Sequence, residues 1–69
     1  MTAEQWIDAF AHELGAPSPD RASIDAILEL AATAAHGSER IAAPIACWLG
    51  GASGRPPGEL NEIAARIRT

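Results

Sequence analysis

The chain reads as an all-α protein: a compact four-helix domain with short loops, filling residues 1–69 as a single unit. Three observations carry this. Apolar side chains recur at spacings of three and four, the period of a helix face. Clusters of glycine and proline break the chain near residues 15–19, 37–44 and 50–57. Valine and tyrosine are absent and no segment alternates apolar with polar, so nothing reads as a strand.

Helix one is expected over about Ala3–Leu14. Thr2 and Gln5 form a capping-box pattern at its start. Trp6, Ile7, Phe10 and Leu14 make its stripe, with Glu4, Asp8 and Glu13 off it. Gly15 fits a left-handed stop, and Pro17 and Pro19 discourage continuation.

Helix two is capped by Asp20 or Ser23, with Ile24, Ile27, Leu28, Ala31, Ala34 and Ala35 as its stripe. Gly37 is one place for it to stop. The other is near Arg40, with the stripe carried on through Ser38 and Ile41 at a cost of about 1 kcal/mol for the internal glycine. The longer helix is the expectation. Pro44 then opens helix three, where its missing N–H does no harm, and Ala43 is pushed away from helical geometry.

Helix three covers about Pro44–Gly50 and is apolar on most sides, which marks it as the central helix. On that expectation Trp48 belongs to the core, and Trp48→Ala costs ~3–5 kcal/mol. Gly50-Gly51-Ala52-Ser53-Gly54 is a flexible break. Helix four opens at Pro57, carries Leu60, Ile63, Ala64 and Ile67 as its stripe, and pairs Glu62 with Arg66 on its exposed side.

Composition narrows the function. The net charge is −4 and there is no lysine. That argues against sequence-independent nucleic-acid binding and against an anionic membrane surface. It also removes the phosphate-binding lysine of a P-loop and any Schiff base. The acids fall mostly early and the arginines mostly late, at Arg40, Arg55, Arg66 and Arg68. Cys47 is the single cysteine, so neither an internal disulfide nor a cysteine-based zinc site is available. With no leader and no long apolar run, the expectation is a soluble, cytoplasmic protein.

Four constellations bear on chemistry. His36 and Arg40 are four apart, so on a continuous helix they share a face, beside three free N–H groups at the start of helix three near Pro44. Imidazole, guanidinium and unbonded amides together can hold an anion such as phosphate or carboxylate. Each also has a plain structural use at the end of helix two, and that use is the commoner one. A metal site using His12 and His36 with Glu13 or Glu39 lacks any diagnostic spacing, so no metal and no cofactor is expected. Cys47 near the start of helix three, with His36, is a conceivable nucleophile pair, though a lone cysteine on an apolar helix is more often core. Gly50–Gly54 resembles a phosphate loop in composition only, since it follows a helix and lacks the lysine.

A family resemblance rests on Trp6, Glu13-Leu14-Gly15, Leu28-Glu29-Leu30-Ala31, Ala35-His36, Arg40, Ala42-Ala43-Pro44 and Trp48-Leu49-Gly50. With these motifs the chain resembles a small bacterial helical domain of unknown function, found alone or appended to molybdenum cofactor guanylyltransferase-like proteins. It departs from that pattern at Ile41, where proline is frequent, and at Ala46-Cys47, where small hydroxylated residues are common. The resemblance implies a non-catalytic accessory or docking module near molybdopterin guanine dinucleotide synthesis. Its partner would be a molybdenum cofactor nucleotidyltransferase or a related enzyme. The contact is expected near His36, Arg40 and Pro44. Two alternatives stand beside it: a small cofactor-handling protein or enzyme using Cys47 and His36, and a self-associating helical domain, as in a homodimer.

Overall fold

A computed structural model describes residues 1–67 of the chain; Arg68 and Thr69 lie outside that range. The expected compact four-helix class holds. Helices α1 (Ala3–Leu14), α2 (Arg21–Gly37), α3 (Ala42–Ala52) and α4 (Pro57–Ala64) follow one another, with no strand among the described residues.

The helix starts are set locally. The Thr2 hydroxyl accepts from the Gln5 N–H, and the Gln5 side chain accepts from the Thr2 N–H, closing the capping box of α1. Gly15, at φ 72°, ends α1 in the left-handed conformation, with the Ala16 N–H reaching back to the Ala11 carbonyl. Asp20, not Ser23, caps α2: its carboxylate accepts from the Ser23 N–H at 2.8 Å. The Ser23 side chain first, and then its N–H, hold the Asp20 carboxyl below its ordinary pKa. Pro57 opens α4.

Four expectations need correction. Helix two stops at Gly37 and does not reach Arg40. Glycine is costly there, and the Ser38 hydroxyl donates to the Ala34 carbonyl at 2.7 Å, closing the end that a longer helix would have closed with amides. Helix three starts at Ala42 and runs through Gly50 and Gly51 to Ala52. Ala43 is helical in spite of Pro44, because its N–H and that of Ala42 donate to the Arg40 and Glu39 carbonyls in a tight lead-in turn. Helix four ends at Ala64, so Glu62 and Arg66 form no ion pair; Arg55 and Glu59 pair instead, at 4.0 Å. Finally, α2 and not α3 is the central helix. Helices α3 and α4 both pack on it and meet one another over a much smaller contact that includes Gly50 and Leu60.

The centre is small. Leu30 of α2 and Leu60 of α4 are buried, and the backbone of Gly50 in α3 is buried against both. A Cβ at Gly50 would stand 2.6 Å from Cδ1 of Leu60 and 3.4 Å from Cδ2 of Leu30. Glycine suits this mid-helix position: an added Cβ would force the buried Leu60 methyl to shift. Beside this contact the Thr33 hydroxyl donates to the Asn61 side-chain carbonyl, joining α2 to α4.

Helix α1 stands apart. No Cα of α1 comes within 8 Å of a Cα in α2, α3 or α4. The linker 15–20 runs back beside it, so that Arg21 at the start of α2 meets Glu4 near the start of α1, at 2.9 Å. Arg21 also pairs with Asp25 at 3.0 Å. All three side chains are exposed, so the pairs add little stability.

Neighbouring glycines give a clean test of the central contact. Gly50→Ala loses roughly 1–3 kcal/mol to overpacking, against a helix-propensity gain of about 1. Gly51 has open space around its Cα, so Gly51→Ala gains about 0.5–1 kcal/mol. Thermal melts of the two variants should move in opposite directions.

Candidate functional site

Helix α3 is turned inside out relative to an ordinary surface helix. Its small residues Ala43, Ala46, Cys47 and Gly50 face the other helices and are buried or half-buried. Its large ones face solvent: Ile41 is 72% exposed, Ile45 60% and Trp48 70%. The cause is the close approach at Gly50. A helix drawn so near α2 and α4 can put only small side chains between, and its period then sends Ile41, Ile45 and Trp48 outward together. Trp48 is therefore not a core residue, and the large stability loss expected of its truncation does not follow.

The anion-binding arrangement is not assembled. Because α2 ends at Gly37, His36 lies in the last helical turn and Arg40 in the connecting turn, and the two no longer share a helix face. Pro44 sits in the first turn of α3. The free amides are missing too: those of Ala42 and Ala43 are bonded to the preceding turn, and Pro44 has none. His36, Arg40 and Pro44 are each exposed. Neither His36 nor Arg40 has an ion-pair partner among the described residues.

Cys47 and His36 are also separated. The thiol points at the Ile27 carbonyl of α2, at 3.9 Å. His36 lies nine residues further along that helix, about 13 Å by helical rise. Burial pushes the Cys47 thiol pKa up, which disfavours the nucleophilic thiolate. No group of three or more His, Cys, Asp or Glu side chains among the described residues is arranged to hold a metal ion. No helix there is long and apolar enough to cross a membrane.

The exposed apolar surface continues elsewhere. A groove of about 410 Å³ lies between α2 and α3, lined by Leu30, Ala34 and Gly37 of α2 and Ala42, Ile45 and Ala46 of α3, with Ala64, Ala65 and Ile67 at and beyond the end of α4. On α1, Trp6, Phe10 and Leu14 are 57%, 49% and 63% exposed. The Trp6 and Phe10 rings stack, 5.2 Å apart and 28° between planes. Sequence periodicity marks these α1 residues as a stripe, and the structure leaves them about half or more exposed.

The chain belongs to the family described as Domain of unknown function (DUF6457), whose model matches residues 1–69. No curated protein matches it, and neither does any solved structure.

Two measurements check this placement. Trp48→Ala should cost no more than about 1 kcal/mol, as exposed positions do, while Leu60→Ala costs ~2–5; denaturant titration separates them. Cys47 should alkylate slowly in the native state and rapidly in denaturant. Its folded pKa lies above the unfolded one, so its contribution is intact below the ordinary thiol range and is lost as pH rises through that range towards the folded value. Cys47→Ser should weaken that alkaline decline.

Proposed function

We propose that the chain is a non-catalytic docking module that binds a partner protein through the outward face of α3. The observation that supports this is the cluster of Ile45 and Trp48 on α3 with Ile41 at its N-cap, all more than half exposed. Exposed apolar patches of this kind mark protein contacts. Tryptophan is also the side chain most often found as a binding anchor. Pro44 precedes Ile45 and Arg40 precedes Ile41 in the chain, so the contact surface we propose has an apolar centre with Arg40 and Pro44 next to it in sequence. Arg40 then serves as a rim charge that steers association and adds little affinity.

The partner is a protein with a complementary apolar patch. The resemblance to domains appended to molybdenum cofactor guanylyltransferase-like proteins makes such a nucleotidyltransferase the first one to test, in a bacterial cytoplasm. The domain itself would hold no cofactor and perform no reaction.

The test is a calorimetric titration of the chain into a purified molybdenum cofactor nucleotidyltransferase. Trp48→Ser should weaken binding by about 30-fold or more, as loss of a central anchor does. Arg40→Ala should weaken it only a few-fold, and less in high salt. Equal affinity for wild type and Trp48→Ser would remove α3 from the contact. Absence of heat with the wild-type chain would remove this class of partner.

A further inference from the structure

The described chain exposes more surface than its size warrants. Its accessible area is 5414 Å², where a folded monomer of 7.2 kDa presents about 4,100 Å². The excess of about 1,300 Å² is larger than the roughly 800 Å² per partner that a standard stable interface buries. Domains this small commonly complete themselves with disulfides, a metal or a second chain. One cysteine rules out an internal disulfide, and the described residues offer no metal cluster.

We propose that a second copy of this chain completes the fold by reciprocal exchange of α1. Each copy lays its Trp6, Phe10 and Leu14 stripe into the α2–α3 groove of the other. The two surfaces match in length. Trp6 to Leu14 spans about 12 Å of helix, and Leu30 to Gly37 spans about 10 Å. They match in shape: Ala34, Gly37, Ala42 and Ala46 keep the groove walls low, so a helix can settle between them. They match in chemistry as well. The groove is apolar, and its hydroxyls are already used, Ser38 on the Ala34 carbonyl and Thr33 on Asn61. With no unspent polar group to orient a small ligand, a helix stripe at i, i+4 and i+8 is the better occupant.

The chain's own α1 is poorly placed for this role. Glu4 of α1 meets Arg21 at the start of α2 and no Cα of α1 lies within 8 Å of a Cα in another helix, whereas the groove begins at Leu30, about 13 Å further along. Exchange between two copies satisfies both stripes and both grooves with one two-fold operation. Ile45 borders both this groove and the outward face of α3, whereas Trp48 does not line the groove, so Trp48→Ser separates this proposal from the docking reading.

Sedimentation equilibrium of the full chain, from micromolar to millimolar concentration, should show a monomer–dimer equilibrium. Phe10→Glu should raise the dissociation constant by about 100-fold, since each copy loses an anchor worth roughly tenfold. Ile45→Glu, on the groove wall, should act alike. Trp48→Ser should leave the equilibrium unchanged. Circular dichroism of Phe10→Glu should stay helical, because that side chain supports none of the α2–α4 contacts. A dimer mixed from isotope-labelled and unlabelled copies should give intermolecular contacts between the Phe10 ring and the Ile45 methyls. A monomer throughout the range would overturn the proposal. So would a dimer indifferent to Phe10→Glu, or Phe10–Ile45 contacts confined to one copy.

Discussion

Everything in this fold depends on how closely α3 can approach α2 and α4. The distance is fixed by the absence of a side chain at Gly50, into which Leu60 and Leu30 press from two sides. Once that contact is made, the rest of α3 has no freedom of rotation. Alanine and cysteine must fill the interface, and isoleucine and tryptophan must leave it. The apolar exterior is thus a geometric result of a tight interior, and not a failure of burial. The same contact makes α2 the central helix, because it supplies one of the two leucines and carries the Thr33 tie to Asn61.

Helix α1 obeys a different logic. It is well formed by its own caps, with Thr2 and Gln5 at one end and Gly15 at the other, and needs no neighbour to define its ends. Its stripe is as regular as that of a core helix, yet Trp6, Phe10 and Leu14 stay about half or more exposed, and the helix meets α2 through the exposed Glu4–Arg21 pair. A helix both self-sufficient in backbone bonding and unsatisfied on one face is suited to being handed to another surface.

The parts legible in the sequence were those decided within a few residues. The Thr2 cap, the Gly15 stop, the Asp20 cap and the Pro57 start all depend on side chains reaching their own backbone, and each stands where expected. What could not be read was the orientation of α3. In AAPIACWLGGA most faces are apolar, so periodicity gives no direction. Only the partner leucines, distant in sequence, decide which side turns inward. The end of α2 failed for a related reason: Gly37 and Ser38 are compatible with both lengths, and the hydroxyl bond to Ala34 selects the shorter. With it went the shared face of His36 and Arg40, a case where one glycine changes which residues are neighbours. Cys47 was open to two roles from sequence, and its position against the Ile27 carbonyl favours the quiet one.

The linker 15–20 has a consequence for the kinetics of anything α1 meets. Pro17 and Pro19 fix two of its backbone torsions, so the tether has little freedom left to surrender on capture. The entropic penalty that a glycine-serine tether would meet at encounter is here largely settled in the unbound molecule. Replacing those prolines would leave every contact in place and still slow the productive collision.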